Sequence, residues 1–425
     1  SLASDQNHFE SQYKLGMIYF SKQNIIKAIQ YLTLSAENNF VKAQLELGFL
    51  YYKNKHIPKN IELSIKYLLK ASEQNDSTAQ YYLGFIYFNE KSVFDSKKAI
   101  QYFTYAANQN HLQALYNLSI FYFEGEYIKK DIKKGLHYLT LAADQGFDEA
   151  QYSLGVTYYD NIDIPRDINK AIYYFKLAAN QNHIRSMHQL GYIYHQGKFI
   201  IRDMNKAIYY YECAAQQNNL SSQKALAKIY GAGILTPLDA SKSLYYFHLA
   251  AMQNDCESQS LLGNIYYFGI NTQKDIKKSL YYYSLAAKQN DVKSIYNLGL
   301  IYYSGEYVKK DIHKAIEYLE KASEQGFNKA EDLLGMIYLK GEGVSSDINQ
   351  GISYLNSASN KNNVDSLFTL GNLYLQGMYV SQDINKGIEY LKRAAKLNHL
   401  GAQFNLAKLY YNGKFVHQSI ELAIH

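Results

Sequence analysis

DVKSIYNLGLIYYSGEYVKKDIHKAIEYLEKASEQG, residues 291–326, is the stretch that decides the fold. Ser294, Leu298, Ile301 and Tyr302 fall at i, i+4, i+7 and i+8, the spacing of one helical face, and predict a first helix, A. Gly299 follows Leu298 inside that helix, where glycine costs about 1 kcal/mol relative to alanine; its presence predicts a point where another helix crosses closely. Beyond Gly305 the periodicity lapses. Asp311 then precedes an amphipathic run carrying Ala315, Tyr318, Leu319, Ala322 and Ser323, which predicts a second helix, B, with Asp311 as its N-cap.

The same block recurs along the chain. Leu15, Leu47, Leu83, Leu118, Leu154, Leu190, Leu226, Leu262, Leu298, Leu334, Leu370 and Leu406 mark twelve copies, and from Leu118 onward each step is 36 residues. The copies begin near Ser11, Ala43, Ala79, Ala114, Ala150, Ser186, Ser222, Ser258, Ser294, Ala330, Ser366 and Ala402. Asp131, Asp167, Asp203, Asp239, Asp275, Asp347 and Asp383 share the register of Asp311, and capping explains this row of acids better than metal binding does. Pro58, Pro165 and Pro237 all stand two residues before the cap, where proline stiffens the connection without removing a helical hydrogen bond. At the far end of helix B only asparagine or glycine occurs, from Asn39 and Asn75 through Gly146 and Gly326 to Asn398, as a left-handed residue requires.

Repetition sets the architecture: each hairpin buries its apolar face on its neighbours, so a core can lengthen without thickening, and residues 1–425 are expected to form a single solenoid. The expected fold is all-α, a superhelix of about eleven full helix-turn-helix repeats plus a partial twelfth. Ser419–His425 would begin the twelfth helix B, an ending that predicts continuation of the chain or docking at its C-terminal side.

Composition narrows function. The net charge of +6 comes from 44 basic and 38 acidic residues scattered through every repeat, without the basic stripe of a nucleic-acid binder. Cys213 and Cys256 sit at unrelated register positions, so neither a disulfide framework nor a cysteine zinc site is expected, and a cytoplasmic location fits. No membrane span is expected. His188 and His195 stand seven apart on one helix, outside the i, i+4 geometry of a paired ligand site, while His111, His183 and His399 share one turn position for structural reasons. With no phosphate loop, HExxH or nucleophile elbow, no cofactor, metal or catalysis is expected.

Ala150-x-x-x-Leu154-Gly155-x-x-Tyr158, Gly125-x-x-Ile128-x-x-Asp131, and Lys170-Ala171 with Ala178-Ala179 resemble the Sel1-like repeat family, a relative of tetratricopeptide repeats. Departures are local: a short first A–B loop around Lys22 to Asn24, one residue fewer near Phe94, and Ala227 in place of glycine in repeat seven. The resemblance implies a right-handed superhelix with A helices on the concave wall and B helices on the convex one. It also implies an adaptor or scaffold that binds a protein or peptide.

One column suggests where. The residue two after the small residue opening helix B is Gln30, Lys66, Gln101 and His137 in repeats one to four, and Glu317, Ser353 and Glu389 in nine to eleven. Between them it is Tyr173, Tyr209, Tyr245 and Tyr281, with Leu177, Cys213, Leu249 and Leu285 one turn further on. These are the expected protein-binding residues, compatible with self-association as well as with a foreign partner. By contrast Tyr19, Tyr51 and their ten equivalents read as a packing column. Lys224, Lys228, Ser260 and Asn264 replace mostly apolar residues of helix A and predict either a polar notch or an adjusted contact between repeats. Two further readings are the non-catalytic arm of a larger signalling enzyme, and a helical-repeat RNA binder, which the scattered charge disfavours.

Overall fold

The computed structural model describes residues 8–53, 57–160, 163–233, 237–413 and 417–421. Among these residues all regular structure is helical. Twenty-three α-helices run from Phe9–Ser21 to Leu400–Asn412, each of 13 residues except Ser96–Ala107, which has 12. Thirteen residues at 1.5 Å rise give helices about 20 Å long. The chain divides into two compact units, 1–222 and 223–425. Within each unit helices A and B alternate, and B helices such as Ile132–Asp144 and Ile312–Glu324 pack on their own A helix and on the next A. The last four residues of the expected twelfth helix B lie outside the described residues.

Local chemistry fixes the ends of each helix. The carboxylate of Asp311 accepts a hydrogen bond from the Lys314 amide at 3.0 Å, and Asp131, Asp167, Asp203, Asp239, Asp275, Asp347 and Asp383 do the same for their own third residue. The amide of Asp311 in turn donates to the Tyr302 carbonyl at 3.0 Å, which closes the A–B loop on the end of helix A. The turn residues Asn39, Asn75, Asn110, Asn182, Asn218, Asn254, Asn290, Asn362 and Asn398 all have φ between 57° and 64°, the left-handed region that asparagine tolerates best after glycine. His183 and His399, expected to recur for structural reasons, accept from the amides of Ser186 and Ala402 and cap helix A.

Packing explains the glycine inside helix A. A Cβ on Gly299 would stand 2.9 Å from Leu319 Cγ, and one on Gly263 only 2.4 Å from Tyr283 Cδ1. Helix B therefore presses its largest buried side chain onto bare backbone of helix A. Ala315 and Ala322 are fully buried beside it. Repeat four carries Ser119 at the glycine position, a departure beyond the Ala227 read from sequence.

Two further columns complete each hairpin. Eleven tyrosine pairs stack between helix A and helix B with near-parallel rings, among them Tyr158 on Tyr174 at 6.1 Å in the first unit and Tyr302 on Tyr318 at 6.0 Å in the second. In nine of them a lysine from the first turn of helix B lies over the A-helix ring, as Lys314 does at 4.1 Å from the Tyr302 centroid. The Asp-x-x-Lys pair thus does two jobs: the acid caps the lysine's amide, and the ammonium covers the ring. The second column is buried glutamine. Gln44, Gln151 and Gln259 donate to the carbonyls of Ala36, Ala143 and Ala251 at the end of the preceding helix B, and accept from Gln74, Gln181 and Gln289 at 2.8 to 2.9 Å. They add a side-chain hydrogen bond to helix-end carbonyls that also accept from the turn amides of Asn39, Gly146 and Asn254.

Candidate protein-binding surfaces

Consecutive residues on one B helix diverge to opposite environments. In Ile168–Asn180, Tyr174 enters the stacked column, where burial first, then Asp144 and the neighbouring tyrosines, push its hydroxyl up to about 12. Tyr173, about 100° further round the helix, points out and is 57% exposed. Tyr209 in the same unit, and Tyr245 and Tyr281 in the other, are 60%, 58% and 57% exposed. Each meets its ladder neighbour edge to face at 5.1 Å, so each outward ring is propped on one side by another ring. Gln30, Lys66, Gln101, His137, Glu317, Ser353 and Glu389 are exposed in the same register, so the column read from sequence as water-facing does face water.

The aliphatic half of that reading is more covered. Leu177, Leu249 and Leu285, like Cys213, are half-buried. Side chains of this register reach neighbouring helices: Arg393 donates to the Ser359 carbonyl at 2.9 Å, and Ser357 donates to Glu331 at 2.8 Å. The exposed apolar surface at each position is therefore mainly the tyrosine.

Lys224, Lys228, Ser260 and Asn264 come together as paired groups. Lys224 bonds Asp255 at 3.1 Å, Lys228 bonds Glu257 at 2.9 Å, Ser260 donates to Asp291 at 3.0 Å, and Asn264 accepts from the Tyr283 hydroxyl at 2.8 Å. Burial pushes the Asp255 carboxyl up, but the Ser258 hydrogen bonds and the Lys224 ammonium outweigh it and hold the group below the usual carboxylate range. Lys224, Lys228 and Ser260 join one repeat to the next, where an adjusted contact describes them better than an open notch, while Asn264 pairs with helix B of its own repeat.

The same register carries most of the polar variation of helix A. It holds Tyr81, Tyr116, Tyr152, Tyr296 and Phe368, each packed on a ring that opens the next helix A, but also His188, Lys224, Ser260 and Asp332. Asp332 accepts from the Ser366 hydroxyl at 2.5 Å; burial pushes its carboxyl up, against that hydrogen bond and with help from Asp365. One residue before it, Glu331 replaces the buried glutamine and takes Lys361 at 2.7 Å. Sequence reasoning missed this glutamine column, although Gln44, Gln80, Gln151, Gln223 and Gln259 recur three residues before the repeat leucine. Among the described residues no helix is long and apolar enough to cross a membrane, and no three His, Cys, Asp or Glu side chains are placed to hold a metal ion.

Comparison with known proteins agrees with this geometry. The model of the Sel1 repeat family matches twelve times, over residues 9–40, 41–76, 77–111, 112–147, 148–183, 184–219, 220–255, 256–291, 292–327, 328–363, 364–399 and 401–425. Among solved structures, the chain is similar to a protective antigen of uropathogenic Escherichia coli strains displaying an SLR fold: 31% identity over 93% of this chain and 85% of that one, with a TM-score of 0.71. It is also similar to a Sel1 repeat protein from Oxalobacter formigenes, with 27% identity over 73% of this chain and 90% of that one, and a TM-score of 0.59. No curated protein matched the sequence.

Proposed function

This chain belongs to the Sel1 repeat family, whose members generally mediate protein–protein interaction, and from that premise we propose that it is a scaffold that holds a protein or peptide partner through the outward tyrosines of its B helices. The observation that carries the reading is the exposure of Tyr173, Tyr209, Tyr245 and Tyr281, 57% to 60% each, at a register that other repeats fill with charged or polar residues. A tyrosine brings a large apolar body with a polar tip and few rotatable bonds, which suits an interface. Fully burying one such side chain contributes roughly 1.5 to 3 kcal/mol, so two or more per partner offset a substantial part of the entropy lost on association. Leu177, Leu249 and Leu285 supply the half-buried floor beside the rings. Sel1 repeat proteins are typically non-catalytic scaffolds, and the proposed role needs no chemistry from this chain.

The test is a paired substitution. Tyr209→Glu with Tyr245→Glu leaves both stacked ladders in place, so helical circular dichroism is expected to stay unchanged while partner capture from the native host, and any self-association seen by sedimentation, falls away. Capture and sedimentation identical to the unaltered chain would remove the proposal.

A further inference from the structure

Five residues after the repeat leucine, helix A carries a bulky side chain in eleven repeats: Phe20, Tyr52, Phe88, Phe123, Tyr159, His195, Tyr267, Tyr303, Leu339, Leu375 and Tyr411. It fills the crevice at the start of helix B. Phe123, for example, lies where a Cβ on Gly135 would meet its ring at 3.0 Å. At three junctions a second ring, from the A–B loop of the next repeat, closes over the first: Tyr127 on Phe88 at 5.5 Å, Phe199 on Tyr159 at 6.1 Å, and Tyr307 on Tyr267 at 6.2 Å. Basic side chains cover two of these loop rings, Arg166 at 4.2 Å from Phe199 and Lys274 at 3.7 Å from Tyr307.

Between repeats seven and eight both rings are missing. Gly231 stands at the helix position and Asn271 at the loop position. What remains is a cavity of about 330 Å³ within the second unit, whose walls include Ala227, Gly231, Phe247, Leu261 and Ile265. The Ser243 hydroxyl in its wall already donates to the Ala227 carbonyl at 2.8 Å. Lys228, which also lines the cavity, keeps its side chain 56% exposed, and Ile270 is 48% exposed. The cavity is an apolar hollow at the place where other junctions hold a ring.

We infer that this cavity receives an aromatic side chain of a peptide partner, inserted where the other repeats place their own tyrosine or phenylalanine. The occupant is defined by internal precedent: the chain itself shows which group the crevice is shaped to hold. The inference rests on the proposed role to the extent that the ring comes from a peptide, but the cavity is separate from the outward tyrosines and is tested without any partner.

The probe is p-cresol, the tyrosine side chain as a free molecule, titrated into the full chain with isoleucine methyl groups observed by NMR. Saturable shifts at Ile265 and Ile270 are expected. Gly231→Tyr should weaken them by at least about tenfold, the loss that follows when one ring-sized apolar contact is removed. That variant has precedent, because Ser64 with Tyr52 and Ser279 with Tyr267 pair the same serine and ring at their own junctions. Asn271→Tyr, in the loop, gives a second block; its φ of 56° matches the 61° of Tyr379 at the same register. Isopentanol, an aliphatic molecule of similar size, should compete poorly. Absence of saturable shifts, shifts that persist in both variants, or equal binding of isopentanol would each overturn the inference. Retained p-cresol binding alongside failed partner capture would leave the cavity standing and count against the proposed role alone.

Discussion

Gly263→Ala is the sharpest test of how these hairpins hold together. Alanine at an interior helical position gains about 1 kcal/mol over glycine, so propensity alone predicts stabilisation. The structure predicts the reverse. The added Cβ would lie 2.4 Å from Tyr283 Cδ1 and 2.5 Å from Cε1, and that ring cannot swing away easily: it is 1% exposed and its hydroxyl donates to Asn264 at 2.8 Å. Overpacking of this kind costs about 1 to 3 kcal/mol, and a pinned ring belongs at the upper end, leaving a net loss of about 1 to 2 kcal/mol once the propensity gain is subtracted. Urea unfolding followed by circular dichroism measures it, and a double-mutant cycle assigns the cause. With Tyr283→Ala the obstruction is gone, and Gly263→Ala should then stabilise by up to about 1 kcal/mol. A neutral or stabilising effect in the unaltered chain, or the same loss in both backgrounds, would refute the close-crossing argument.

Gln259 offers a second measurement. Gln259→Ala leaves a void, removes one of the hydrogen bonds to the Ala251 carbonyl, which keeps the Asn254 amide, and takes the acceptor of the Gln289 side chain, an expected cost of about 2 to 3 kcal/mol in thermal or urea unfolding; Gln259→Leu, which repeats what the chain already does at the buried Leu115 and Leu367, should cost about 1 kcal/mol or less. A third concerns Asp332. Its carboxyl is pushed up by burial, so the folded chain holds that proton more tightly than the unfolded chain and ionisation costs stability as pH rises. Asp332→Asn is therefore expected to be the more stable protein at neutral pH, with the gap closing as pH falls through the folded pKa; a gap that is constant or widens on acidification contradicts this assignment.

Nearly all of the scaffold is legible in the amino-acid sequence. A period of 36 residues, an acid or, in the first two repeats, an asparagine before helix B and asparagine or glycine after it are local signals, and local hydrogen bonding decides them: Asp311 caps Lys314 and Asn290 turns left-handed whatever lies further off. The glycine beside nine of the twelve repeat leucines announced a close crossing because no local reason favours glycine in a helix. Solvent exposure of Tyr173 and its three equivalents was legible for the same kind of reason, since charged residues hold that register in other repeats. Pairing across helices was not. Whether Leu177 is open or half-covered, that the lysine of the capping motif lies on a ring, and that Lys224 and Ser260 spend their polar groups on the next repeat all depend on which side chains meet once hairpins stack. Gly231 and Asn271 show the limit most clearly. They lie forty residues apart and neither is unusual alone; only tertiary packing brings the two missing side chains to one place and makes their absence a cavity.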